Sequence, residues 1–141
     1  MEQSRVDLAV EKFKNGYNCS QSVVCTYCDL LGMDEETAFA MSEAFGSGIA
    51  RMQATCGSVC GMIMLAGLKN SDKNLGKSKT KIQSLALGKD LADKFKEKNS
   101  TVVCKELKSI GTDKPPIRSC EGCVRDSALI VEKYLLKDFF E

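Results

Sequence analysis

Residues 56–67 read Cys-Gly-Ser-Val-Cys-Gly-Met-Ile-Met-Leu-Ala-Gly and contain no charged side chain. An uncharged stretch that is too short to cross a membrane is typical of a buried element. In an exposed helix each glycine would cost about 1 kcal/mol relative to alanine. Gly57, Gly61 and Gly67 therefore indicate close approach by a neighbouring backbone or a ligand. We predict that residues 56–67 form a central helix.

The rest of the chain predicts an all-α fold, a compact bundle of about six helices around this buried Gly/Cys-rich helix. Apolar residues recur at helical spacing between capping residues, and no alternating pattern indicates a strand. In the longest of these helices we expect Ile82, Leu85, Leu91, Ala92 and Phe95 to face inward. The expected helices run from Ser4 to Gly16, from Asn18 to Gly32, from Asp34 to about Phe45, from Thr80 to Lys98, from about Thr101 through Ile110, and from Ser119 to about Phe139.

Length and composition restrict the classes of protein to which the chain can belong. Its 141 residues predict a single Cys-rich helical domain, 1–141. The sequence has no histidine, which excludes a Ser-His-Asp triad, a Cys-His pair and a His-ligated haem built from this chain alone. Charged residues interrupt the apolar positions of residues 1–16, so we expect no secretory signal, no membrane association and a cytoplasmic location.

Eight cysteines are a high number for a reduced compartment, where thiols more often serve metal or redox chemistry than structural disulfides. Four of them lie in the first turns of predicted helices: Cys19, Cys56, Cys104 and Cys120. Free amides and the helix dipole stabilise a thiolate there, which lowers a thiol pKa from about 8.5 to between about 3.5 and 7.5. The thiolate is the form that attacks disulfides and binds metals. The alternative interpretation is that these cysteines are small buried hydrophobes.

The other four cysteines stand one helical turn from another cysteine. Cys25 and Cys28 form a Cys-x-x-Cys motif, Cys60 follows Cys56, and Cys123 follows Cys120. Spacings of three and four place each pair on one helical face, where it is able to chelate a metal or to cycle between dithiol and disulfide. No strand precedes the Cys-x-x-Cys motif, as one would in a thioredoxin-like site.

Several motifs together resemble the C_GCAxxG_C_C family, whose members are described as redox-active proteins, over nearly the whole chain. They are Tyr17-Asn18-Cys19-Ser20-Gln21-Ser22, Phe45-Gly46-Ser47-Gly48, Cys56-Gly57-Ser58-Val59, Cys104, and Cys120 ahead of Val124-Arg125-Asp126. The resemblance implies that Cys19, Cys56, Cys104 and Cys120 are the signature cysteines. The chain departs from the central pattern, with Thr55 in place of the glycine before Cys56, Gly57 in place of the alanine after it, and the closing glycine displaced to Gly61. The family implies redox or metal chemistry without fixing the reaction.

Three hypotheses for the function follow. In the first, Cys19, Cys56, Cys104 and Cys120 converge and bind an iron-sulfur cluster or another metal for electron transfer. In the second, the thiols react directly without a metal: Cys56 attacks, and Cys60, or Cys120 with Cys123, resolves the intermediate. In the third, the cysteines form a zinc site or disulfides that stabilise a binding module. If the protein is an enzyme, the first two hypotheses make it an oxidoreductase.

The charges and the C-terminal residues suggest which partners the protein has. Residues 69–118 carry thirteen basic and six acidic side chains, whereas residues 1–50 carry three and eight. The lysines lack interleaved aromatic residues, which predicts a solvated helix face and no nucleic-acid binding. The redox partner remains unspecified. The apolar residues of 134–140 are expected to be exposed, which favours a homodimer.

Overall fold

The computed structural model of the chain describes residues 1–140. No β-strand occurs among them, and one isolated antiparallel bridge joins Thr55 to Val103. The all-α prediction is therefore confirmed. The helices are α1 (Val6–Lys14), α2 (Cys19–Tyr27), α3 (Glu35–Ser42), α4 (Gly57–Asn70), α5 (Lys81–Asn99), α6 (Cys104–Leu107), α7 (Cys120–Ile130) and α8 (Lys137–Phe140).

The predicted central helix is α4, which packs between α2 and α5. A Cβ atom at Gly57 would lie 2.9 Å from the Phe45 carbonyl oxygen, and one at Gly61 would lie 3.0 Å from Val23 Cβ. These two glycines therefore allow α2 to approach α4 closely, as the sequence predicts. At Gly67 no neighbouring segment approaches: outside its own helix and chain neighbours, no atom lies within 4 Å of the position that its Cβ would occupy.

The core contains large side chains from α2, α4 and α5. Tyr27, Met62, Leu65, Leu91 and Phe95 are fully buried. Burying an apolar side chain of this size contributes about 1.5–3 kcal/mol relative to leaving it exposed. These contacts fix α4 against its two neighbours, and with them the position of its first residue.

The inward face of α5 differs from the prediction in its first two turns. Leu91 and Phe95 are buried as expected, but Ile82 and Leu85 are 82% and 68% exposed. Ser84, Gly88, Leu91 and Phe95 follow one another at spacings of four, three and four, so they share the face that packs on α4. A Cβ atom at Gly88 would lie 3.2 Å from Ile63, and Asn70 donates a hydrogen bond to Ser84 Oγ at 3.0 Å. Ile82 and Leu85 lie off this face.

Four predicted helices end earlier than expected. The third ends at Ser42 and continues as a 3₁₀ turn over Glu43–Phe45, and the sixth ends at Leu107. The second helix ends at Tyr27 and continues as a 3₁₀ turn over Cys28–Leu31, and the last ends at Ile130 and continues as a wide π turn over Val131–Leu135. The π turn redirects the chain so that Leu135 and Leu136 are buried and the Phe140 ring packs edge-on against Tyr27. The predicted exposure of this segment is wrong for Leu135 and Leu136, whereas Tyr134 is 42% exposed, and the homodimer stays a prediction. No helix within residues 1–140 is both long and apolar enough to span a membrane.

Candidate functional site: a cavity lined by five cysteines

Five of the eight cysteines line one cavity of about 240 Å³ at the point where the first residues of four helices meet. They are the four predicted first-turn cysteines and Cys123, one turn into α7: Cys19, Cys56, Cys104, Cys120 and Cys123. Cys60, predicted as a resolving thiol, does not line this cavity, and neither do Cys25 and Cys28.

The cavity has a buried floor and a more accessible rim. Four of its cysteines and Leu107 are at most 8% exposed and form the floor. Phe13, Asn18 and Lys108 are half-buried and Ser47 is exposed at the rim. Cys120 is the half-buried cysteine of the group. A reagent that enters from solvent therefore meets Cys120 first.

Helix capping places Cys19 and Cys120 at the cavity. Asn18 and Gln21 form a reciprocal capping box at the start of α2, in which Asn18 Oδ1 accepts from the Gln21 amide at 2.9 Å. Ser119 Oγ accepts from the Gly122 amide at 2.9 Å at the start of α7. Both caps agree with the sequence prediction, and each makes the next residue the first of its helix.

A second device fixes the segment before α7. Arg118 donates two hydrogen bonds, each 3.0 Å long, to the buried carboxylate of Asp126. Asn99 at the end of α5 donates to the same carboxylate at 3.1 Å. A bidentate Arg–carboxylate pair is geometrically specific, so it holds the residue two positions before Cys120 against the body of α7.

The backbone before α4 and the backbone before α6 are joined by the bridge between Thr55 and Val103. The Cys56 amide donates to Val102 O at 2.8 Å, and the Cys104 amide donates to Ala54 O at 2.6 Å. These bonds bring together two cysteines that are far apart in the sequence. Cys56 is the N-cap residue of α4, so this helix begins one residue later than predicted. Cys104 is the first residue of α6.

A left-handed turn covers one side of the cavity. Residues 47–51 all have positive φ angles, and four of them are not glycine. This conformation costs roughly 1–2 kcal/mol per non-glycine residue, and it persists only where surrounding contacts enforce it. Gly48 has to be glycine, because a Cβ atom there would lie 2.7 Å from Cys104 Cβ. The strained turn therefore closes directly over a cysteine.

Cys120 and Cys19 form a thiolate–thiol pair. The hydrogen bond from the Cys19 thiol, with help from the Lys108 ammonium group and against the effect of burial, lowers the pKa of Cys120 to about 5. The same hydrogen bond, together with burial, raises the pKa of Cys19 far above that of a free thiol. The two shifts favour a thiolate at Cys120 and a protonated thiol at Cys19.

Cys56 and Cys123 form a second pair of the same kind. The hydrogen bond from the Cys123 thiol lowers the pKa of Cys56 to about 6, with further hydrogen bonds from the Ser58 side chain and from the amides of Ser58 and Val59. Ser58 Oγ lies 3.2 Å from Cys56 Sγ, and Ser127 Oγ donates to Ser58 Oγ at 2.9 Å. The bond from Ser127 leaves the Ser58 hydroxyl proton free to point at Cys56. The bond to Cys56, together with burial, raises the pKa of Cys123.

The other cysteines are protonated thiols. Burial raises the pKa of Cys104, raises that of Cys60 to about 11 and raises that of Cys25 to about 12. The Cys60 thiol donates to Thr55 O at 3.8 Å and the Cys25 thiol donates to Glu35 O at 3.9 Å. A first-turn position therefore accompanies a low pKa at Cys56 and Cys120, and not at Cys19 and Cys104.

The thiols of the cavity are of a type that binds metals. Thiolates are suitable donors for zinc or an iron-sulfur cluster. Within residues 1–140, however, no three Cys, Asp or Glu side chains are grouped closely enough to hold a metal ion. The side chains as they stand therefore fit two separate pairs and do not fit a common metal.

Sequence reasoning missed Lys108 and Ser58, which act on the thiols, and Ser127, which donates a hydrogen bond to Ser58. Lys108 stands four residues after Cys104, so the spacing that places two side chains on one helical face was available as a signal. Ser58 stands two residues after a cysteine that precedes a helix. Nothing in the sequence around Ser127 indicated that it approaches Ser58 from a different helix.

Comparison with known proteins gives one match. A family model described as "Putative redox-active protein (C_GCAxxG_C_C)" matches residues 17–134, which include all five cysteines of the cavity. No curated protein and no solved structure matches the chain.

Proposed function

The chain belongs to the C_GCAxxG_C_C family of redox-active proteins, and from this premise we propose that it is a thiol–disulfide redox protein with two dithiol pairs, Cys19–Cys120 and Cys56–Cys123. The observation that carries the proposal is that these four thiols line one cavity. Within each pair the pKa of one thiol is lowered and the pKa of the other is raised. A nucleophile next to its own resolving thiol is the arrangement that two-electron thiol chemistry requires.

Cys120 is the entry point in this proposal, because it is the accessible cysteine of the cavity. Its thiolate attacks an electrophilic substrate atom, a bond from Cys120 sulfur to that atom forms, and the leaving group departs with the electron pair. Cys19 then loses its proton and attacks the Cys120 sulfur. The products are a Cys19–Cys120 disulfide and a substrate reduced by two electrons.

The resolving step becomes easier once Cys120 has reacted. The largest cause of the raised pKa of Cys19 is its hydrogen bond to Cys120, and the charge of Cys120 raises the pKa further. Both influences end when the Cys120 thiolate is consumed. Lys108, whose charge lowers the pKa of Cys19, stays in place. Burial and the charge of Cys56 still raise the pKa of Cys19, but this pKa is lower than before Cys120 reacted, so Cys19 is easier to deprotonate at the stage at which its thiolate is needed.

Cys56 and Cys123 are assigned as an inner pair that exchanges with the outer one. The charge of Cys56 is close enough to Cys19 to raise the pKa of the Cys19 thiol. The Cys56 thiolate attacks the outer disulfide at Cys19, the Cys120 thiolate leaves, and Cys123 then displaces Cys19. This exchange restores the outer dithiol and stores the oxidation as a Cys56–Cys123 disulfide. The assignment moves the entry role from Cys56, as first predicted, to Cys120.

A second candidate function is electron transfer through a cluster bound by Cys19, Cys56, Cys104 and Cys120. It is favoured by one observation, that all four signature thiols line the same cavity. Within residues 1–140, no three of these side chains lie close enough together to hold a metal ion, which argues against this candidate. We therefore derive no step through a metal.

The test is to map disulfides in protein oxidised stepwise from the fully reduced state. We expect peptide mass spectrometry to find Cys19–Cys120 and Cys56–Cys123, and a redox titration to show two two-electron steps. A Cys25→Ala variant serves as a control that keeps both pairs. Disulfides that involve Cys25, Cys28 or Cys60 in place of these pairs would overturn the proposal. Stoichiometric iron and sulfide in anaerobically purified protein would replace it with the second candidate.

A further inference from the structure

The shape of the cavity restricts the substrate that Cys120 can attack, given the proposed thiol function on which this inference rests. We propose that the substrate is a small hydroperoxide that enters the cavity, and that the disulfide of another protein is not the substrate. The argument depends on access to Cys120, on the volume of the cavity and on the charge at its rim.

Access to the reactive sulfur is restricted by the half-buried residues around it. Cys120 is half-buried, and it shares the rim with Phe13, Asn18 and Lys108, which are also half-buried. Below it, Cys19, Cys56 and Cys123 are each at most 8% exposed. A substrate therefore reacts at Cys120 only if its electrophilic atom passes between these rim side chains.

The volume of the cavity favours an oxygen electrophile over a sulfur electrophile. About 240 Å³ corresponds to roughly eight water molecules at about 30 Å³ each. In thiol–disulfide exchange the attacking, central and leaving sulfurs align, and both substrate sulfurs carry a peptide chain. The rim would have to admit those chains as well. A small hydroperoxide presents two oxygens with at most one small substituent, so it needs less room at the rim than a protein disulfide does.

The rim also provides a positive charge where the leaving oxygen develops a negative one. Lys108 and Cys120 line the same cavity, and the lysine charge lowers the pKa of this thiol. When the thiolate attacks the nearer peroxide oxygen, the O–O bond breaks and the distal oxygen departs as hydroxide or alkoxide. A fixed cation beside the reacting sulfur stabilises that charge. We therefore assign Lys108 a second role, in which its ammonium group stabilises the leaving oxygen as well as the thiolate.

The reaction balances in two steps. In the first, the Cys120 thiolate takes one peroxide oxygen and becomes a sulfenic acid, while the other oxygen takes a proton from solvent and leaves as water or an alcohol. In the second, Cys19 attacks the Cys120 sulfur, the Cys19–Cys120 disulfide forms, and the sulfenic oxygen leaves as water. Two thiols lose two electrons, and the hydroperoxide gains them.

The experiment compares oxidants of increasing bulk on the fully reduced full-length protein. Rates of Cys19–Cys120 formation are measured at pH 6 by quenched flow and mass spectrometry with hydrogen peroxide, tert-butyl hydroperoxide, cumene hydroperoxide, oxidised glutathione and oxidised thioredoxin. For hydrogen peroxide we expect a rate about tenfold above free cysteine. This value is the larger thiolate fraction corrected for the weaker nucleophilicity of a low-pKa thiol.

Each rate is divided by the rate of free cysteine with the same oxidant. The normalised rate should fall at least about tenfold from hydrogen peroxide to cumene hydroperoxide, and further for the two disulfides. A Phe13→Ala variant, which opens the rim, should raise the rate with cumene hydroperoxide relative to the rate with hydrogen peroxide and so recover most of the size preference. Leu8→Ala, at an exposed position of the same helix, is the matched control and should leave the size preference unchanged.

The outcomes distinguish this inference from the proposed function. If oxidised glutathione or thioredoxin forms the Cys19–Cys120 disulfide with a normalised rate equal to that of hydrogen peroxide or above it, the hydroperoxide assignment is wrong and the redox pair stands. If no oxidant forms that disulfide, both the assignment and the proposed function fail. If Phe13→Ala and Leu8→Ala have equal effects on cumene hydroperoxide, the rim does not select the substrate.

Discussion

The two ends of α2 carry cysteines in opposite surroundings. At the first residue, Cys19 faces a cavity and hydrogen-bonds a thiolate on another helix. At the last turn, Cys25 and Cys28 are buried and donate weak hydrogen bonds to the carbonyls of Glu35 and Cys25 at 3.9 and 3.8 Å. Burial, the largest cause, raises the pKa of Cys25 to about 12 and raises that of Cys28.

The comparison shows that cysteine spacing alone does not identify the reactive thiols. The Cys25–Cys28 motif has the spacing of a redox pair, but each sulfur faces acceptors, which favour the protonated form. The cavity thiols come from separate helices with no common motif, but two of them accept hydrogen bonds from neighbouring thiols. The direction of the hydrogen bond, and not the number of residues between two cysteines, decides which thiol is ionised.

The largest expected effect comes from removing Cys120. In Cys120→Ser the fast phase of iodoacetamide alkylation at pH 6 should fall on the order of 100-fold, because the other thiols are either protonated or buried. The rate is measured by stopping the reaction at set times and determining the alkylated fraction by mass spectrometry. Cys28→Ser, at the other end of the comparison, is the control and should keep the fast phase. An unchanged fast phase in Cys120→Ser would place the reactive thiolate elsewhere.

Lys108 gives the next largest effect. The pKa of Cys120 is about 5, so its thiolate is fully present well above pH 5 and is lost as the pH falls through that value. In Lys108→Met the lost charge and hydrogen bond should raise this pKa by about one to two units. Alkylation at pH 5 should then fall about tenfold, while the rate at pH 9 should hardly change.

The matched control is Lys105→Met, which removes a charge from an exposed position of the same short helix. Its alkylation profile against pH should keep its midpoint. Equal shifts in the two variants would mean that the general positive charge of this segment, and not the contact of Lys108 with Cys120, lowers the pKa.

Ser58 is expected to have a smaller effect on the inner pair. In a Cys120→Ser background, absorbance at 240 nm should report ionisation of Cys56, whose pKa is about 6. Ser58→Ala removes one of several hydrogen bonds to this thiolate, so the midpoint should rise by about one unit and the thiolate fraction at pH 6 should fall about fivefold.

Ser42→Ala is the control for this measurement. Ser42 is also a fully buried serine, but its hydroxyl donates to Ala38 O at 2.7 Å, away from the cavity. Its loss should lower the free energy of unfolding and leave the midpoint at 240 nm in place. A shift as large as that of Ser58→Ala would assign the effect to general loosening of the core.

The comparison also shows what can be predicted from the sequence. Local signals placed the caps at Asn18, Asp34 and Ser119, and the glycines at 57 and 61 indicated the close packing of α4 on α2. These features depend on residues within one helical turn or on the lack of a side chain. They were enough to predict an all-α fold with a buried central helix.

The pairing of the thiols depends on contacts between distant segments. The bridge between Thr55 and Val103 brings Cys56 and Cys104 to the same cavity, and the contact of Ser127 with Ser58 joins α7 to α4. No local pattern encodes these contacts. The exposure of Ile82 and Leu85 also depends on contacts between distant segments. In its first turns α5 packs on α4 through the small residues Ser84 and Gly88. The larger side chains of Ile82 and Leu85 lie off this face.

The smallest redox effect is expected at the end of α2 that carries the Cys-x-x-Cys motif. Replacing Cys25 and Cys28 together by alanine removes two buried sulfurs from the core and no member of either proposed pair. The free energy of unfolding in urea under reducing conditions should fall by about 1–3 kcal/mol. The two disulfides and both steps of the redox titration should remain. If one redox step disappeared while the protein stayed folded, burial and carbonyl acceptors would not have kept these thiols inert, and the contrast between the two ends of α2 would no longer hold.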